Sequence, residues 1–249
     1  MQQSNGYIIG FAAAMTIILG GLLSVTAVGL KERQKEQIVL ETKKQILSAV
    51  MSTEGIPKPK LSDIYGERIK STVVDFDGNE IEGVVPENVK VDKEYKKSPE
   101  NRQYPVFKYM SESNPDQVEA YILPLYGFGL WNYIWGYAAI SSDLNTIYGI
   151  SFDHVGETPG LGARITEKGV QDRYKGKKIK DESGEIVSVD MIKGEGNPNM
   201  DSKPHQVDGM SGATITGKGV NSMLKSYLEN YEAYLSKVAK SGGTISASL

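Results

Sequence analysis

The chain contains no cysteine, which excludes disulfides, thiolate catalysis, cysteine-ligated zinc and an iron–sulfur cluster held by its own side chains. Histidine is almost as scarce. With only His154 and His205, a hydrolytic triad has little to draw on. Neither sign of charge is in excess: the formal net charge is −3 and the pI is near 5.6, which argues against a nucleic-acid-binding surface. Tryptophan occurs only at positions 131 and 135, and no internal repeat is evident.

The 249 residues suffice for one sizeable domain with accessories, and 39% hydrophobic with 24% charged residues is ordinary for a folded domain. Residues 7–30 carry no charge. A run of this kind exceeds the roughly 20 residues needed to cross a bilayer core, so a single N-terminal transmembrane helix is expected over 1–30. Residues 1–6 hold no basic side chain, and the apolar run is longer than a signal-peptide core, so retention as an anchor is the expectation. Gly10, Gly20, Gly21 and Gly29 would let another membrane helix approach closely.

The helical pattern continues beyond the anchor to about Met51, with Ile38, Ile46, Leu47 and Val50 apolar among charges. It reads either as a stalk or as the first helix of the folded domain. Gly55-Ile56-Pro57-Lys58-Pro59 breaks it. Residues 61–102 mix a strand-like run, Thr72-Val73-Val74-Asp75-Phe76, with polar turns, and are expected to form a peripheral subdomain.

From Tyr104 the pattern becomes that of an antiparallel meander. Residues 118–124, 133–140 and 146–152 read as strands, the first two joined through the aromatic corner Gly127-Phe128-Gly129-Leu130-Trp131. A short helix over 165–174 and a strand over 186–192 follow. Val220, Met223, Leu224, Tyr227, Leu228, Tyr231, Leu235 and Val238 then form one apolar stripe of helical spacing. The fold class expected is α+β: an antiparallel sheet with flanking helices. The plan is an anchor at 1–30, a stalk and peripheral subdomain at 31–103, the main domain at 104–240 and a small-residue flexible tail at 241–249.

Two stretches carry chemistry. The first is Asp208-Gly209-Met210-Ser211-Gly212-Ala213-Thr214, a small-residue loop feeding into the last helix. Thr214 and Thr216 are expected just before the helix N-terminus, where unpaired N–H groups and the helix dipole favour an anion such as phosphate. Enzyme motifs nearly match here and fail. Gly212 to Lys218 has the spacing of a P-loop, but Gly219 stands where a hydroxyl is required for magnesium. Gly209-Met210-Ser211-Gly212-Ala213 has alanine where a nucleophile elbow ends in glycine. The second stretch is Glu157-Thr158-Pro159-Gly160-Leu161-Gly162, in which Pro159-Gly160 specifies a type II turn.

The Asp208–Thr214 stretch resembles the D-x-x-[ST]-G-A-T flavinylation signature, and Glu157 to Gly162 resembles the E-T-P-G-L-G signature. Both belong to the FMN-binding subunits of bacterial respiratory ion pumps, a family that includes the C subunit of sodium-translocating NADH:quinone oxidoreductases and the G subunit of Rnf complexes. The Gly129-Leu130-Trp131 corner is more similar to the former. The resemblance implies an α+β FMN-binding domain and FMN joined covalently to Thr214 through a phosphoester by a dedicated flavin transferase. Asp208, Ser211, Gly212, Ala213, Glu157, Thr158, Pro159, Gly160, Leu161, Gly162 and Trp131 would complete the cofactor site. No catalytic acid or base and no metal is implied.

The function so implied is electron relay in a membrane NADH:quinone reductase of the cell inner membrane, with other subunits and membrane lipid as partners. Lys31, Arg33 and Lys35 follow the anchor, a count that alone would place the domain in the cytoplasm. The resemblance implies the periplasmic side. An Rnf-type subunit, or a membrane-anchored binding module without flavin, are the alternatives. Glu157 reads as a pocket wall or a cap to the turn, and either tryptophan is a candidate to lie against a flavin ring.

Overall fold

The computed structural model describes residues 4–241; of the tail expected over 241–249, residues 242–249 lie outside the described residues. Helix α1 spans Asn5–Ser48. Among the described residues it is the one helix long and apolar enough to cross a membrane. Thr16 and Thr26 donate their hydroxyls to the carbonyls of Ala12 and Leu22, each at 2.8 Å, so these two polar groups within the apolar run are satisfied by the helix itself.

Contacts divide the chain into two compact units, residues 1–41 and 42–249. The second opens on the end of α1, followed by α2 (Lys58–Arg68), β1 (Ile69–Val74), the one-turn α3 (Val91–Glu94), β2 (Tyr104–Met110), β3 (Val118–Phe128), β4 (Tyr133–Ser141) and β5 (Ile147–His154). A broken helical stretch holding α4 (Lys168–Gln171), the short strands β6 (Asp190–Met191) and β7 (Gln206–Val207), and helices α5 (Thr214–Asn230) and α6 (Glu232–Lys240) complete it. Strands β1 to β5 form one antiparallel sheet in sequence order, the meander expected, while β6 and β7 pair in parallel.

Strand alternation divides the core between two faces. Tyr121, Leu123 and Leu125 of β3 and Ile134, Ala138 and Ile140 of β4 join the larger cluster, which is closed by Val220, Met223, Leu224, Tyr227, Leu228, Tyr231, Leu235 and Val238. Every residue of the apolar stripe is thus buried. Ala120 and Ile122 of β3 and Ala139 of β4 face the opposite way, against Ile46 and Leu47 of α1 and Leu61 and Tyr65 of α2.

Residues 61–102 are therefore not peripheral. They supply the edge strand β1 and part of the cover for the second face, because a sheet that is apolar on both sides cannot leave either in water. Other boundaries also differ from expectation. The helix expected over 165–174 is two short 3₁₀ pieces around α4, and the strand expected over 186–192 shrinks to Asp190–Met191. The long C-terminal helix is interrupted at Tyr231, whose ring lies 5.3 Å from Tyr104 and whose hydroxyl donates to the Pro105 carbonyl at 2.8 Å.

Register decides where the chain leaves the sheet. Phe128 pairs with Tyr133, and Ile134 pairs with His154, so the 129–132 corner and the exit from β5 share one end of the sheet. Gly219 of α5 packs at the same end, where an added Cβ would meet Gly129 Cα at 3.0 Å and the Phe128 carbonyl closer still.

Candidate functional site

At this end of the sheet the two sequence motifs meet around one carboxylate. Glu157 is buried, with 3% of its surface exposed. One of its oxygens accepts the backbone N–H groups of Leu130 at 3.0 Å and Trp131 at 2.9 Å, and the other accepts the Thr216 hydroxyl at 2.6 Å. Burial raises the Glu157 pKa, but hydrogen bonds from Thr216 and from the backbone of Trp131, Asn132 and Leu130 outweigh it, and the net shift is downward. A carboxylate so occupied is a fastener. These donors belong to the aromatic corner and to the first turn of α5, so it ties those elements together.

The turn that follows has the geometry its sequence demands. Gly160 has φ +73°, and the Leu161 N–H donates to the Thr158 carbonyl at 3.1 Å, as a type II Pro159-Gly160 turn requires. The Thr158 hydroxyl accepts the Trp131 indole N–H at 3.0 Å, fastening the corner to the turn a second time. His154 accepts the Glu157 N–H at 3.2 Å on Nδ1 and so caps the approach to the turn. Gly162 lies against the fastener itself: a Cβ there would collide with the Thr216 hydroxyl and approach Glu157 Oε2 to 2.6 Å.

The second motif arrives from the other direction. Asp208 accepts the N–H groups of Gly196 at 2.8 Å and Asn197 at 3.0 Å and the Asn197 side-chain amide at 2.8 Å, so it orders the preceding loop rather than facing solvent. Although burial raises its pKa, these donors bring it below the ordinary carboxylate value. Gly212 adopts φ +73° and lets Leu161 lie across it, since an added Cβ would come within 2.7 Å of Leu161 Cδ2. Ser211 is exposed, Ala213 buried and Thr214 half-buried.

Thr214 is the first residue of α5 rather than lying just before the helix. The first intrahelical bond runs from the Gly217 N–H to the Ala213 carbonyl at 2.9 Å. No side chain caps this end. The N–H groups ahead of Gly217 therefore point out of the helix start with its partial positive charge, a setting suited to an anion. Thr216, two residues on, is 1% exposed and committed to Glu157. Thr214 also borders a groove of about 320 Å³ between α5 and β6, lined by Met191, Met210, Ala213 and Gly217 among others.

Around the joined motifs lies apolar surface that the core does not use. Trp131 is 64% exposed, Ile215 57%, Phe128 50% and Leu161 40%. Trp135 is excluded from this surface, because strand alternation turns it to the opposite face, where its indole N–H donates to Gln45 at 3.4 Å. An uncapped helix start beside exposed aromatic and aliphatic side chains suits a ligand with an anionic end and a flat apolar body.

Three charged residues escaped the sequence reading. Arg164 donates to Glu195 through both terminal nitrogens at 2.8 Å, Arg173 donates to the same carboxylate at 2.9 Å, and the Ser211 N–H reaches it at 3.3 Å. Arg173 also donates to the carbonyls of Asp208, at 3.1 Å, and Gly209. The two guanidiniums hold the Glu195 carboxyl far below its ordinary range. The only local signals were a lone acid between glycines at 194 and 196 and an arginine two residues after the turn motif.

Known proteins are similar to this one along nearly the whole chain. Residues 129–229 match the family model described as the FMN-binding domain. The C subunit of Na(+)-translocating NADH-quinone reductase from Pseudomonas aeruginosa is 30% identical over 96% of this chain and 98% of its own length. Its Vibrio parahaemolyticus counterpart is also 30% identical, over 97% of both chains. The crystal structure of the corresponding protein from Parabacteroides distasonis superposes with a TM-score of 0.71 at 38% identity, covering 83% of this chain and 96% of the other. That of Shewanella oneidensis NqrC gives 0.70 at 26% identity, covering 81% and 98%. With full-length relatives at this identity and the joined motifs inside the matched domain, the chain belongs to the NqrC family, the C subunits of Na(+)-translocating NADH-quinone reductases.

Proposed function

We propose that this chain is an electron-relay subunit of a sodium-translocating NADH:quinone reductase and carries its FMN as a phosphoester on Thr214. The observation that carries the linkage is the placement of Thr214: a half-buried threonine at the uncapped start of α5, next to the exposed Ile215 and two residues after Gly212, across which the exposed Leu161 lies. The helix start stabilises the phosphate. Gly212 lets Leu161 pack closely against the loop before Thr214, and the exposed Trp131 and Leu161 side chains offer a bed for the ring.

FMN supplies the redox chemistry when bound, accepting electrons and passing them on. The chain's residues orient it. Glu157 holds the corner that carries Trp131 against the helix that carries Thr214, so the spacing between anchor and bed is set by buried hydrogen bonds rather than by a mobile loop. Both carboxylates of the two motifs, Glu157 and Asp208, are spent on hydrogen bonds within the chain, in keeping with a relay that needs no general base. A covalent tether suits this work because retention no longer depends on a dissociation constant.

The NADH and quinone sites and the ion path then belong to other subunits of the complex, which are the partners along with membrane lipid around α1 and a flavin transferase for maturation. We place the FMN domain on the periplasmic side of the inner membrane. Peptide mass spectrometry of the native protein tests the linkage. The adduct is expected on Thr214, and Thr214→Ala should lose covalent flavin while keeping its melting transition. An adduct on Thr216, which is buried and bonded to Glu157, would overturn the assignment.

A further inference from the structure

The Arg164–Glu195–Arg173 bridge lies outside both motifs, yet every member touches one of them or the loop between them. Arg164 follows the 157–162 turn closely in sequence. Arg173 donates to the carbonyls of Asp208 and Gly209, within the threonine motif. Glu195 accepts from both arginines and from the Ser211 N–H, three residues before Thr214. The side chains of Arg164, Arg173 and Glu195 are only 21–26% exposed, and the Arg164 contact uses both carboxylate oxygens. That geometry is stiffer than a single-point surface pair.

Asp208 closes the other side of the same loop by accepting from Gly196 and Asn197, the residues directly after Glu195. Gly209 can lie here because it has no side chain: an added Cβ would run into the carbonyls of Ile192 and Gly194. The 194–197 loop and the 208–211 loop are therefore bonded to each other in both directions. Glu195 is the carboxylate of this pair of loops that also reaches the turn segment, through Arg164.

From this we infer that Glu195, with Arg164 and Arg173, is a positioning group for Thr214: a second carboxylate strut, opposite to Glu157, that fixes the threonine loop relative to the turn and so presents the Thr214 hydroxyl for attachment of the flavin phosphate. Glu157 ties the corner to the helix, and Glu195 ties the segment after the turn to the loop before the helix. Neither touches the reacting hydroxyl. The inference rests on the proposed Thr214 linkage, but the loop order it requires exists without flavin.

The test has an arm for each. In the unmodified full-length chain in detergent, amide hydrogen exchange of residues 209–213 is compared between wild type, Glu195→Gln and Arg164→Gln. Loss of a charge-assisted hydrogen bond of ordinary strength should raise exchange there by roughly tenfold or more, with the interior of α5 unchanged. Co-expression with the maturation machinery then gives the covalently loaded fraction by intact mass, which should fall several-fold in Glu195→Gln and recover in part in Glu195→Asp, which keeps the charge. Far-UV circular dichroism and the melting transition confirm folding. If Glu195→Gln does not fold, Arg164→Lys, which keeps charge but cannot bond through two nitrogens, takes its place. Wild-type exchange rates in 209–213, or full loading in every folded variant, would overturn the inference. Raised exchange together with wild-type flavin attached elsewhere would instead sink the Thr214 linkage and leave the strut standing.

Discussion

Replacing Gly162 by alanine tests whether the turn and the helix start are one site. The backbone of Gly162 is not in the left-handed region, so the substitution carries no conformational penalty of its own. Its cost comes from what the methyl meets: the Thr216 hydroxyl within collision distance, Glu157 Oε2 at 2.6 Å and Thr216 Cβ at 3.2 Å. The Thr216–Glu157 hydrogen bond must break or shift. A lost bond to a charged group together with the local overpacking that breaks it costs about 2.5–5.5 kcal/mol, offset by about 0.5 kcal/mol from the stiffer unfolded chain. A net loss of about 2–5 kcal/mol lowers the melting temperature of a domain this size by roughly 4–20 °C. Gly160→Ala is the control, because its Cβ enters open space and only φ +73° opposes it, at about 1–2 kcal/mol. The assay is thermal unfolding of the detergent-solubilised chain, alone and with Thr216→Ala added. Removing the hydroxyl should relieve part of the clash, so the two substitutions should couple by about 1 kcal/mol or more. Refutation is simple: Gly162→Ala melting with wild type, or simple additivity with Thr216→Ala, would mean the turn and helix are not packed through this point.

Glu157→Gln should cost about 1–2 kcal/mol at pH 7 and also change how stability responds to acid. The folded-state pKa of Glu157 lies below its ordinary 4.5, so its contribution is present above that value and lost as pH falls through the lower folded pKa; the variant should show a shallower acid limb in pH-dependent melting, and an identical limb would count against the buried-carboxylate reading. Trp131→Ala, at an exposed position, removes the indole hydrogen bond to Thr158 and should cost only about 0.5–1.5 kcal/mol, yet alter the fluorescence or circular dichroism of the bound flavin. An unchanged flavin spectrum would remove Trp131 from the bed.

Much of this molecule was legible in the residues because local rules were not contested. An uncharged run as long as 7–30 has one stable form in a bilayer, the meander strands were bounded by clear turns, and the stripe from Val220 to Val238 has a single helical face. Pro159-Gly160 could form only one kind of turn, and Gly160 has the positive φ that it needs. Tertiary structure decided what pairing and burial decide. The strand-like run at 72–76 gave no sign that it belongs to the edge strand β1 of the main sheet, because that place depends on Tyr109 and Lys108 lying opposite Ile69 and Lys70, a register no local pattern encodes. The start of α5 at Thr214, the role of Glu157 as a fastener and the turning away of Trp135 all follow from contacts between residues far apart in sequence. The Glu195 bridge is the plainest case. Charged residues at 164, 173 and 195 look like ordinary surface until the fold brings them together, since an ion pair has no spacing rule outside a helix or strand.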